Sequence, residues 1–193
     1  MKTRLVSRRL AGFTLVELLV VIAIIVVLAA MGLSVGARAM NRGKETKTKN
    51  DAVGLVHAID DFNREYSRYP DFGAQSEEIR IEGEVGGELL TILLGKEEVG
   101  DSMQNKKQID FATFRESSNK SQGGLVYTSK DSGAKPEGLY DSWGNALYLV
   151  IDTDNDGEVP DPFNAGKVVR ESVIAYSFGA DGKAGGGDDV KSW

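Results

Sequence analysis

The sequence predicts an α+β chain in which one long N-terminal helix precedes a small β-sheet. Three observations carry this expectation. The first proline is Pro70, so nothing breaks a helix from Phe13 to about Arg68. Apolar residues then recur at three- and four-residue steps, at Ala52, Val53, Val56, Ile59, Phe62 and Tyr66. That spacing gives a helix one apolar stripe, which needs a sheet to cover it. Finally, runs rich in β-branched and aromatic residues at 146–151 and 168–177 read as strands.

The helix changes character along its length. Every residue from Leu18 to Leu33 is apolar or glycine, and the next charge is Arg38. An apolar run of that length suits lipid or the core of a fibre. The stretch from Arg38 to Asp51 is polar and marks the exit from that environment. If continuous, the helix spans about 84 Å at 1.5 Å per residue. Gly32, Gly36, Gly43 and Gly54 weaken it, and any bend is expected at Gly32 or Gly36. Tyr69-Pro70 stops it, because a residue before proline disfavours helical backbone.

Residues 71–140 are less regular. Leu89 to Leu94 reads as a short helix ended by Gly95, and Ile109 to Ala112 as a short extended piece. The remainder is rich in turn formers and reads as a variable loop region. The chain thus divides into 1–12, 13–35, 36–70, 71–140 and 141–193. These are a leader, an apolar helix, its amphipathic continuation, the loop region, and the sheet with its acidic loops.

Two acidic loops could hold a cation. Asp152-Thr153-Asp154-Asn155-Asp156-Gly157 has the spacing that opens an EF-hand loop. However, the twelfth position is Phe163 rather than a bidentate glutamate. A hairpin turn is the simpler reading, with weak calcium binding as the alternative. Residues 179–193 combine five glycines with Asp181, Asp188 and Asp189. That composition suits either calcium, which takes six to eight oxygens, or a solvated acidic tail.

Composition excludes other classes. The 193 residues carry a net charge of −6, and removal of the first twelve leaves −10. Such a balance argues against a nucleic-acid partner. There is no cysteine and one histidine, His57, so soft-metal and nucleophilic sites lack their residues. No catalytic constellation is present, and an enzyme is not expected.

The N-terminus holds the sharpest signal. Lys2, Arg4, Arg8 and Arg9 precede Gly12-Phe13-Thr14-Leu15-Val16-Glu17, and the apolar run follows directly. A carboxylate near the start of such a run costs on the order of 2.5–3.5 kcal/mol, so it needs a partner. An ordinary secretory signal has a shorter apolar core without an acid. A simple anchor fits the length and the cationic flank but leaves Glu17 unexplained. The cations orient the leader to the cytoplasm and everything after about residue 35 outward.

Those six residues closely resemble the class III signal of type IV pilins and type II secretion pseudopilins. The resemblance implies cleavage between Gly12 and Phe13 by a prepilin peptidase, then N-methylation of Phe13. It implies that Glu17 meets the amine of Phe13 on a neighbouring subunit and sets the axial register. Asp141-Ser142-Trp143-Gly144-Asn145, Tyr66 to Pro70 and the last fifteen residues are similar to the major pseudopilin. From that likeness come a pilin-like fold, with the helix over an antiparallel sheet, and a calcium ion. Its ligands would be Asp181 with Asp188 or Asp189, and backbone carbonyls near Gly179. Trp193 would then tuck back as an anchor. The implied role is a homopolymeric fibre that drives protein export. Its partners would be minor pseudopilins and an inner-membrane assembly platform with its ATPase. The protein would sit in the inner membrane as a single pass, with its C-terminal domain periplasmic. A surface type IV pilin and an anchored binding or sensor domain are the rival readings.

Overall fold

The computed structural model describes residues 12–72, 78–131 and 133–193, without the side chains of 31–35 and 37. The expected leader lies outside the described residues apart from Gly12. Two compact units divide the chain, Met1–Asn41 and Arg42–Trp193.

Helix α1 runs from Leu15 to Tyr66. It starts and stops two residues inside the expected limits. At its end Ser67 takes a left-handed backbone, φ 53°, just before Tyr69-Pro70. The backbone stays helical through Gly32, Gly36, Gly43 and Gly54. In the first unit its apolar side chains are exposed, from 86% at Leu15 to 45% at Val21. Exposure on that scale marks a surface that another phase or another chain covers. Among the described residues, no helix is long and apolar enough to cross a membrane. The expected span over 13–35 includes side chains that are not described.

In the second unit the chain forms β1 (Glu78–Arg80), α2 (Gly83–Leu93), β2 (Glu116–Ser117), β3 (Gly124–Tyr127) and β4 (Pro136–Tyr140). It continues as β5 (Tyr148–Ile151), β6 (Val159–Pro160), β7 (Val168–Val169), β8 (Val173–Ser177) and β9 (Val190–Lys191). The central sheet has the order β1-β5-β8-β9 and is antiparallel throughout. A second sheet has the order β2-β3-β4, and β6 pairs with β7. The α+β class expected from sequence holds, with the second half of α1 packed on antiparallel sheet.

The core follows from strand periodicity. Leu149, Ile151, Val173 and Ala175 turn to the face shared with Leu55, Ile59 and Phe62 of α1 and Leu89 and Leu93 of α2. Burying each large side chain there stabilises by about 1.5–3 kcal/mol. Alternate residues, Val150, Ile174 and Tyr176, face a second cluster with Val159, Val169, Phe163 and Trp193. Both faces of β8 are therefore buried, which is why it reads as a continuous apolar run. The stripe on α1 is rotated slightly from the expected one. Leu55 and Ala58 are fully buried, whereas Val53 and Val56 are half-buried. His57 is an exposed helix residue.

Other expectations are corrected. The single strand over 168–177 is two, β7 and β8, split at Arg170 to Ser172. Residues 109–112 form no strand, although Phe111 N–H donates to the Leu93 carbonyl at 2.9 Å. The region read as loops contributes β1 to β4. Helix α2 begins six residues before Leu89, in a stretch whose glycines hide it. A Cβ at Gly87 would lie 2.4 Å from the Pro136 carbonyl oxygen, so glycine lets α2 lie directly on β4. Gly95 ends that helix with φ 63°, and Lys96 N–H reaches back to the Thr91 carbonyl at 3.0 Å.

One buried carboxylate ties the sheet to the C-terminal loop. Asp141 is fully buried. Its Oδ1 accepts the amides of Trp143 and Asn145, each at 2.8 Å, and its Oδ2 accepts the Ser177 hydroxyl at 2.6 Å. Asn145 Nδ2 then donates to the Gly179 carbonyl at 2.7 Å. Ser142 N–H donates to Thr48 Oγ1 on α1 at 3.0 Å. The Asp-Ser-Trp-Gly-Asn turn thus joins helix, sheet and loop.

Two predictions follow from this packing. Asp141→Ala leaves the Ser177 O–H and the Trp143 and Asn145 amides without their acceptor, and should cost about 3 kcal/mol or more in chemical denaturation. A loss under about 1 kcal/mol would show that the turn holds without it. Burial pushes the Asp51 carboxyl up to about 6, against the nearby Arg115 guanidinium. The folded chain therefore binds this proton more tightly than the unfolded chain, and ionising Asp51 lowers stability as pH rises from about 4 to 6. Asp51→Asn should raise the melting temperature at pH 7 and leave it unchanged below about pH 4. Equal gains at both pH values would reject this assignment.

Candidate functional site

At the start of α1 the backbone amides lack helical partners. Thr14 and Glu17 satisfy them reciprocally. Thr14 N–H and Oγ1 donate to Glu17 Oε2 at 2.9 and 2.7 Å, and Glu17 N–H donates to Thr14 Oγ1 at 3.2 Å. This is a capping box, and it holds the Glu17 carboxylate within its own chain. Phe13 is 77% exposed just ahead of it. A Cβ at Gly12 would meet nothing within 4 Å, so no contact inside the described chain demands glycine there.

The C-terminal loop from Gly179 to Asp189 is organised by its own carboxylates. Asp188 Oδ2 accepts the amides of Ala180 and Asp181 at 2.6 and 3.1 Å. Asp181 Oδ1 accepts Lys183 N–H at 2.8 Å, and Asp189 Oδ2 accepts Gly185 N–H at 2.9 Å. The remaining oxygens of Asp181 and Asp188 both crowd Gly186, where a Cβ would lie 2.8 and 2.5 Å from them. Asp189 Oδ1 is buried without a hydrogen-bonding partner. These observations fit a loop that could supply oxygens to a hard cation. The three carboxylates do not all converge on one point, however. Among the described residues, the group of three that does lies elsewhere. Beyond the loop, Trp193 packs on Phe163 and Tyr176 at ring separations of 6.0 and 6.4 Å.

The converging group is Asp152, Asp154 and Asp156, each with a carboxylate oxygen within 4.8 Å of the others. Such a trio could hold a metal ion. The loop is not the hairpin turn expected from sequence. Strand β5 pairs with β1 and β8, and β6 pairs with β7, so the loop links two sheets. Gly157 N–H donates to Asp152 Oδ2 at 2.8 Å, and Glu158 N–H to Asp156 Oδ1 at 2.8 Å. Burial pushes the Asp152 carboxyl up, but the Gly157 amide and other donors outweigh it, leaving a net downward shift. The Asp154 carboxyl is raised by its contact with Asp152 and by the charge of Asp156.

Sequence reasoning passed over Asp141 and Asn145 as structural residues. The signal was present in an Asp and an Asn flanking a glycine turn, which is a side chain ready to cap its own backbone.

Residues 7–33 match the family model for the prokaryotic N-terminal methylation motif. No curated protein and no solved structure matches. The matched segment contains Gly12, Phe13, the Thr14–Glu17 cap and the exposed apolar start of α1. That motif supports a type IV pilin-like or pseudopilin subunit and fits a membrane-anchored protein.

Proposed function

We propose that this chain is a structural subunit of a type II secretion pseudopilus and not an enzyme. The observation that carries the reading is Gly12-Phe13-Thr14-Leu15-Val16-Glu17 inside the matched segment. A prepilin peptidase cuts after Gly12 and Phe13 is N-methylated. The new amine of Phe13 and the carboxylate of Glu17 both enter an apolar surrounding, where either alone is strongly disfavoured. Pairing between neighbouring copies fixes their stagger. The Thr14 cap holds Glu17 until that exchange. An inner-membrane platform and its ATPase supply the work, minor pseudopilins join the same fibre, and the growing fibre pushes proteins outward. A surface pilus shares this N-terminus. The likeness of residues 141–145 and 179–193 to the major pseudopilin favours the secretion reading.

On this reading the C-terminal loop takes calcium. Asp181 and Asp188, with Asp189 and the Gly179 carbonyl beside them, would hold it, and bound calcium would draw the loop against β8 and β9.

Glu17→Ala should leave membrane insertion intact and abolish fibres recovered by shearing or crosslinking. Normal fibres would sink the register argument. Calcium titrated into the full chain in detergent should fill a site that Asp188→Asn loses. Unchanged stoichiometry in that variant would remove calcium from the C-terminal loop.

A further inference from the structure

We propose that the Asp152–Gly157 loop is a second, independent site for a divalent cation of the calcium class, held by Asp152, Asp154 and Asp156. The trio alone would not suffice, because exposed acidic groups often cluster without an ion. Asp152 supplies the separate observation. It is 4% exposed, and its Oδ1 is buried with no hydrogen-bonding partner. Buried carboxylate oxygens in folded proteins are almost always satisfied. Oδ2 of the same group already accepts Gly157 N–H. The other two members of the trio are carboxylates as well, and Asp154 can hydrogen-bond to Asp152 only while it keeps its own proton.

The donor chemistry selects the ion. Every side-chain ligand is a carboxylate, the hard-oxygen set that calcium uses. The chain has no cysteine, and His57 lies on α1, so no nitrogen or sulfur competes. The base of the site is fixed. Asp152 directly follows β5, and its N–H donates to the Ser172 carbonyl at 2.8 Å. Gly157, at φ 81°, takes the left-handed backbone that turns the loop back so that its N–H reaches Asp152 Oδ2. A cavity of about 190 Å³ opens beside the three carboxylates, with Glu158 on its wall. Magnesium fits poorly, since it demands near-ideal octahedral geometry and dehydrates reluctantly. The missing twelfth-position glutamate places affinity at the weak end, on the order of 10⁻⁴–10⁻³ M as in extracellular modules. Binding would lock the link between β5 and β6 and so couple the central sheet to the β6–β7 pair.

The test is calcium binding by the ¹⁵N-labelled full chain in detergent micelles. The Gly157 and Glu158 amide resonances should shift and saturate with calcium, and respond far less to equal magnesium. Asp154→Asn/Asp156→Asn alters two exposed residues and should weaken this site by roughly tenfold or more. Asp188→Asn should leave the site unchanged. Gly157 resonances that stay still in the wild-type chain would overturn the proposal. So would unsaturating drift, an equal magnesium response, or wild-type affinity at Gly157 in the double variant.

Discussion

A single helix has to satisfy two solvents. From Phe13 to Leu28 its large apolar side chains are all at least 45% exposed. From Ala52 to Phe62 the same helix buries one stripe completely. The exposed apolar side chains of residues 13–28 are the kind of surface that lipid or other copies cover. The second half gains stability from the sheet. The polar residues between Arg38 and Asp51 separate the two demands. Any role for this protein has to use a helix that is finished at one end and unfinished at the other. The proposed assembly into a fibre would use it directly.

The finished end depends on a small number of buried polar anchors. Asp141 gathers Trp143, Asn145 and Ser177, and Asn145 passes the connection to Gly179. Asn105 does similar work under α2. It is fully buried, donates to the carbonyls of Ile92 and Ile109, and accepts from the Tyr66 hydroxyl. Chains of short strands and long loops need such nodes, because backbone groups outside the ladders must still find partners. The domain has no cysteine, so these nodes, and any bound cation, take the place a disulfide would fill.

Much of this was legible in the sequence, for reasons that can be traced. Helix α1 is long, free of proline and strongly patterned, so its existence and ends were readable to within two residues. Strand β5 was readable within the expected 146–151, because Tyr148, Val150 and Ile151 are aromatic or β-branched, and it begins two residues later than expected. Helix α2 was half hidden, since Gly83, Gly86 and Gly87 have low helix propensity. Gly86 abuts Ile81 and Gly87 abuts Pro136, a tertiary reason that no local pattern displays, while Gly83 takes a left-handed backbone at φ 69°. Strands β2 and β3 were missed because each is short and defined by its neighbour. At the N-terminus the residues of interest are contiguous, so Gly12, Phe13 and Glu17 could be named directly. The acidic loops gave less. Their residue types were visible, but which carboxylates converge depends on how β5, β6 and the C-terminal segment are joined. The convergence falls at Asp152, where the sequence favoured a turn and offered weak calcium binding as the alternative.

The most direct test of the central claim is the intact mass and N-terminal chemistry of the protein from its native membrane. The account predicts a chain that begins at N-methylated Phe13, lacking the twelve residues before it. A chain that keeps Met1, or one cut near Met31, would contradict it and remove the basis for assembly through Phe13 and Glu17.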